Sequence, residues 1–173
     1  MGGLELDMNI WISSFLVIFM LHNLEEIITI EDWFQQTYPR VINKIPPSIQ
    51  KELSHYRNIT SKQFSIVIFV FSIFVSAFIL VAVMTQHYYL FLGVNLFFAL
   101  NIFTHPLQTF YLRSYTPGVL TSIILLIPYY IFFSFRFYNT DLFTMGSFFA
   151  AVIVMILFIP LFLFSHKVGE KWG

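Results

Sequence analysis

The sequence predicts an all-α, polytopic membrane protein: a bundle of five transmembrane helices plus a short interfacial helix. Three observations carry this. The 173 residues are 58% hydrophobic, include 23 Phe and are only 10% charged, and their mean hydropathy is +0.77, far more apolar than a soluble domain. Five stretches each offer the roughly 20 predominantly apolar residues that a bilayer crossing needs. The connections between them are one long and three short, so residues 1–173 form a single membrane domain with no room for a second.

In chain order, the first span covers Met8 to Ile30. It lacks a basic leader and a small-residue cleavage site, so it is expected to be kept as a span rather than removed as a signal peptide. The polar connection 31–63 carries Pro39, Pro46 and Pro47. Within it, 48–58 reads as a helix lying on the membrane surface: Ser48 supplies the N-cap, Ile49, Leu53 and Tyr56 fall near one face, and Lys51, Glu52 and Arg57 lie elsewhere. As a bland alternative it is a tether binding anionic lipid.

The second and third spans, Phe64 to Thr85 and Tyr88 to Leu112, are joined by Gln86 and His87. Thr116 as N-cap and Pro117 at the first helical position start the fourth, Pro117 to Tyr138. The fifth runs from Thr144 to Ser165. Pro128 and Pro160 read as packing kinks, Asn95 as an interhelical hydrogen bond, and Trp33, the tyrosines near Tyr88 and Trp172 as interfacial anchors. His87 and His166 fall at the interfaces, where histidine is cheap.

Net charge is zero, but the basic residues are unevenly placed. Arg40, Lys44, Lys51, Arg57, Lys62, Arg113, Lys167 and Lys171 share one side and only Arg136 falls on the other. Positive residues mark the cytoplasmic side, so the N-terminus is expected outside and the C-terminus in the cytoplasm. Cysteine is absent, which excludes disulfides, thiolate nucleophiles and thiolate metal ligands. There is no internal repeat, no glycine-rich phosphate loop and no basic nucleic-acid face. Membrane lipid is therefore the expected partner, and no nucleic acid is.

Against this apolar background, His22, Glu25 and Glu26 interrupt the first span. A charge at mid-bilayer costs roughly 2.5–3.5 kcal/mol on insertion scales, which makes an intramembrane ionisable group a functional hypothesis by default. At spacings of three and four the three side chains share one helix face. Two neighbouring carboxylates in low dielectric require either a proton on one of them or a cation between them.

The third span carries a matching stripe, Asn101, His105 and Gln108. At 1.5 Å per residue, His22 and Glu26 lie roughly 6–12 Å from the inner end of the first span and His105 roughly 10 Å from that of the third. The two stripes are thus expected to meet in the cytoplasmic half. Pro106 leaves the carbonyl near Ile102 without its helical partner, which implies a polar cavity there. Arg113, beside the start of the fourth span, suits a phosphate on an anionic headgroup, or else serves as a plain interface anchor.

These residues resemble the integral membrane proteins named for their HXXEE motif. His22-Asn23-Leu24-Glu25-Glu26 matches the signature, Asn101 to His105 matches an Asn-x-x-x-His element, and Arg113, Tyr115, Pro117 and Gly118 match an Arg-x-Tyr-x-Pro-Gly segment, in the same order. The resemblance covers most of the chain from His22 onward and implies no particular reaction.

Four functions fit. The first is a membrane metalloenzyme hydrolysing or transferring a group on a lipid-like substrate. In it His22, Glu26 and His105 hold a divalent ion, zinc foremost with iron or manganese as alternatives. Glu25 acts as general base, able to exchange roles with Glu26, and Asn101, Gln108, Arg113 and Tyr115 bind substrate. His55 is a further candidate ligand, or simply a solvated histidine. The second is metal-free acid–base lipid chemistry by Glu25, Glu26 and His105. The third is a small proton-coupled transporter or channel with a Glu/His relay. The fourth is an accessory membrane protein whose polar residues only brace two helices, although a brace gains just about 0.6–2 kcal/mol per contact and seldom uses two carboxylates.

Overall fold

Inside lipid, backbone N–H and C=O groups must find partners within their own segment, and every regular element among the described residues is a helix. The computed structural model describes residues 2–54, 56–138 and 144–173, with side chains described outside 2–7, 52 and 138. Five helices are long and apolar enough to cross a membrane, giving an all-α polytopic bundle. His55 lies outside the described residues.

The first helix runs further than its hydropathy suggests. α1 (Gly2–Asp32) continues through a π turn (Trp33–Thr37), α2 (Tyr38–Val41) and a 3₁₀ turn (Ile42–Lys44). The charges at Glu31 and Asp32 mark a change of polarity rather than a stop. Glu31 Oε2 accepts the N–H of Ser61 at 2.8 Å, while Trp33, Phe34, Tyr38 and Val41 are buried.

The surface helix α3 (Pro47–Ser54) starts one residue before the expected Ser48 cap. The Pro46 carbonyl accepts from Ile49 and Gln50, both at 2.9 Å, and Pro47, lacking an N–H, opens the helix. Gln50 Nε2 donates to the carbonyls of Ile42 (2.9 Å) and Ile45 (2.7 Å), tying α3 to the end of the first helix.

α4 (Ser61–Thr85) opens with a capping box, Thr60 Oγ1 accepting from Gln63 N (3.1 Å) and Gln63 Oε1 from Thr60 N (3.2 Å). The third span is two helices, α5 (Tyr89–Ala99) and α6 (Asn101–Leu112), broken at Leu100. The fourth comprises α7 (Val119–Thr121), a π turn (Ser122–Leu126) and α8 (Ile127–Tyr138). That π turn lies just ahead of Pro128, whose missing N–H disturbs the preceding turn. α9 (Met145–Trp172) outlasts the expected end at Ser165.

Helices in lipid are held by close packing rather than by expulsion from water, and the phenylalanines supply it. Phe15, wholly buried, meets Phe91 (5.6 Å, 90°) and Phe98 (5.5 Å, 79°) edge to face, and Phe71 meets Phe158 at 5.8 Å and 90°. Two glycines bring α9 against its neighbours. A Cβ on Gly93 would lie 2.5 Å from Val154 Cβ, and one on Gly169 would lie 2.4 Å from Val67 Cγ2. Asn95 makes the expected interhelical bonds, its Oδ1 accepting from Tyr129 (3.0 Å) and its carbonyl from Tyr130 (2.7 Å).

Candidate metal centre

Helical spacing turns His22 and Glu26 of α1 inward, and α6 presents His105 to them. His22 is wholly buried and its ring stands 5.1 Å from that of His105. Glu26 Oε1 lies 3.3 Å from His105 Nε2 and 4.0 Å from His22 Nε2. One ligand atom from each of the three residues falls within 4.8 Å of the others.

The donor set fits a divalent ion. Ligand atoms bound tetrahedrally at about 2.0–2.1 Å lie about 3.4 Å apart; Glu26 and His105 already stand at that separation, and the other two pairs close to it from 4.0 Å and from within 4.8 Å. The Nε2 atom of His22 and both ring nitrogens of His105 are buried without a hydrogen-bond partner among the described residues. His105 also faces the backbone of Pro117, without hydrogen-bond alignment.

Glu25 has a different place from the general base expected of it. Its Oε1 accepts from Tyr115 OH (2.6 Å) and Leu120 N (3.1 Å), and its Oε2 from Thr121 N (2.7 Å) and Thr121 Oγ1 (2.5 Å). Two of these donors are N–H groups at the start of the fourth span, where a carboxylate is favoured. The anion at this helix end is the protein's own Glu25 carboxylate. Burial, and then the bond to Glu25, push the Tyr115 hydroxyl up to about 12, so it is a donor at neutral pH.

Thr121 couples Glu25 to His22. Thr121 Oγ1 lies 2.8 Å from His22 Nδ1 and within hydrogen-bond reach of Glu25 Oε2 and the Gly118 carbonyl. With the hydroxyl proton on the Glu25 carboxylate, Oγ1 accepts from a neutral His22 protonated on Nδ1, whose Nε2 lone pair then points toward Glu26 and His105. Sequence reading missed Thr121 because it treats the fourth span as apolar.

The start of that span is also displaced. Thr116 does not cap it; its hydroxyl pairs with Thr109 (2.6 Å) and approaches the His105 carbonyl (3.3 Å). Helix begins at Val119 after Gly118, whose φ of +82° suits glycine. A Cβ on Gly118 would lie 2.9 Å from His22 Cε1 and 3.0 Å from His105 Cε1, so its bare backbone covers both imidazoles. Trp33, expected as an interfacial anchor, is buried and holds this loop by donating from Nε1 to the Tyr115 carbonyl at 2.7 Å.

The remaining expected residues spread out. Gln108 borders the same cavity as Glu26 and His105. Asn101 is half-buried one turn from His105, its carbonyl accepting from Ser122 Oγ at 3.3 Å. Arg113 ends α6 with φ 50° and borders a shallow hollow with Thr109, Phe110, Tyr111 and Ser114. The cavity at the cluster has a volume of about 340 Å³ and is walled mainly by apolar and aromatic side chains. His166 of α9, read from sequence as an interfacial histidine, lines it too.

A polytopic helical bundle with a half-buried His/Glu/His cluster is the class of protein that fold and site define. The family described as "Protein of unknown function with HXXEE motif" matches residues 13–133, and the chain belongs to that family. Comparison with curated proteins and with solved structures gives no match.

Proposed function

We propose that this protein is a membrane-embedded, metal-dependent enzyme that hydrolyses, or transfers a group on, a lipid-like substrate. The observation that carries the reading is the convergence of His22, Glu26 and His105 within 4.8 Å on the wall of an apolar cavity. Two histidines and one carboxylate suit zinc foremost, and iron or manganese next. A bound ion supplies Lewis-acid polarisation of a carbonyl or phosphoryl oxygen.

The chain's own residues do the rest. His22, oriented through Thr121 and Glu25, and His105 present ring nitrogens. Glu26 would contribute one oxygen to the cluster, and its second oxygen takes the proton of the attacking water or acceptor hydroxyl and returns it to the leaving oxygen as that bond breaks, a role its neighbour cannot fill while it accepts four hydrogen bonds. Gln108 donates to the substrate, and the apolar walls exclude water from the reacting groups. The aromatic packing of Phe15, Phe91 and Phe133 in the other part of the bundle favours an enclosed centre over a proton conduit. Eight of the nine basic residues on one side support an outside N-terminus and a cytoplasmic C-terminus, with the centre in the cytoplasmic half.

Elemental analysis of the purified protein tests the reading. One transition-metal ion per chain is expected in the wild type, with loss in both His22→Ala and His105→Ala. A wild type that takes up no zinc, iron or manganese on titration would overturn it.

A further inference from the structure

We propose that the cavity beside the cluster takes up one hydrocarbon chain, reached sideways from the bilayer between α3 and α6, so that the ligand is a single-chain amphiphile. This deepens the proposed function, and it depends on that reading only for what becomes of the polar head.

The walls argue for a chain. The apolar face of α3 borders the cavity: Ile49 and Leu53 of the helix, and Tyr56 just beyond its end, line the space. Opposite them are Ile30 and Phe34 of the first helix and Phe64 of α4. Glu26 and His105 meet where Thr116 and Pro117 also line the space, which gives an ester or similar head a polar wall. A volume of about 340 Å³ falls at the lower end of the roughly 300–1,000 Å³ of small-molecule pockets, which suits one hydrocarbon chain better than two.

The mouth argues for lateral access. Among the lining residues, Pro46, Ile49, Gln108 and Tyr111 are exposed, and they bound the gap between α3 and α6. Directly beside that gap, Phe103, Leu107 and Phe110 of α6 are 64%, 62% and 83% exposed, an apolar strip that faces lipid in a spanning helix. A tail leaving the bilayer along this strip passes Tyr111, which belongs to both surfaces. Gln108 stands at the threshold, able to hydrogen-bond a head as it passes.

The experiment uses the full chain in nanodiscs with a monoacylglycerol carrying a diazirine at its chain end, followed by irradiation and peptide mass spectrometry. Label is expected on 49–56 and 108–112, competed by unlabelled monoacylglycerol and not by diacyl phosphatidylcholine. Leu53→Trp, which fills the cavity, is expected to cut that labelling by about fivefold or more, and Leu80→Trp, on the exposed face of α4 and outside the cavity lining, to leave it unchanged. If Leu53→Trp does not fold, Ile49→Trp at the half-exposed mouth decides. The same pattern on His22→Ala protein would support the chain site even if the metal reading fails. Label that is uncompeted, competed equally by the diacyl lipid, or unaffected by a folded cavity-filling variant would overturn the inference, whatever the metal content.

Discussion

Gly118→Ala perturbs the centre without removing a ligand. Two costs fall on folding: alanine at φ +82° is disfavoured by about 1–2 kcal/mol, and forcing a methyl against packed rings adds about 1–3 kcal/mol. A loss of about 2–5 kcal/mol corresponds to a Tm lower by about 4–20 °C for a chain of this size. The effect on metal binding is more diagnostic. The new Cβ would stand 2.9 Å from His22 Cε1, 3.0 Å from His105 Cε1 and 3.1 Å from His105 Nε2, where ordinary contact begins at 3.4 Å. Reaching ordinary contact needs about 0.5 Å of movement at His22 and about 0.4 Å at His105, each beyond the roughly 0.2 Å within which ligand distances are held. Zinc affinity, measured by calorimetric titration of folded protein, is expected to fall about 10–100-fold, the range seen when supports of a metal ligand are lost. Gly93→Ala serves as reference. Its clash lies against Val154, so it should lower Tm and leave zinc affinity alone. Unchanged zinc affinity in folded Gly118→Ala would refute the placement of the glycine over the ligands.

Four further outcomes follow from the same contacts. Thr121→Val strands the buried Nδ1–H of His22, so zinc affinity should fall about 10–100-fold, and Thr121→Ser should restore it; equal affinities in the two variants would sink the relay. Glu25→Gln turns an amide toward two N–H donors and should lower Tm through about 1–2 kcal/mol of lost capping, whereas a group that acts only as a base would leave Tm untouched. Asn95→Leu strips Tyr129 of its acceptor and should cost about 0.6–2 kcal/mol with no change in zinc titration. Chelating the metal from protein equilibrated with free zinc at about a hundred times Kd should remove about 2.7 kcal/mol of ligand-linked stability, visible as a fall in Tm that the His22→Ala variant does not show.

The spans were legible in the sequence because hydropathy reports transfer to lipid directly, and Phe64 to Thr85 needed little adjustment. Their ends were less so. Glu31 reads as a stop, yet it is bonded to Ser61 and the helix passes on through buried Trp33. Spacing and depth brought His22, Glu26 and His105 into one group, since helical periodicity and rise are nearly invariant. The same logic could not separate the two adjacent glutamates, whose roles depend on what the fourth span places in front of Glu25. Thr121 and Gly118 act through one hydroxyl and one missing Cβ, and neither leaves a pattern that periodicity can read. His166 sits at the polar end of an apolar run, where residue type alone cannot tell a solvated histidine from one lining a cavity.

The unbroken course of the first helix to Lys44 has a mechanical consequence. Two proposed ligands, the tryptophan prop and the pivot of the cavity's outer wall are all mounted on one rod, with Gln50 fastening that wall to its tip. The wall can therefore move only with the tip of the helix that carries His22 and Glu26, or by breaking both Gln50 bonds.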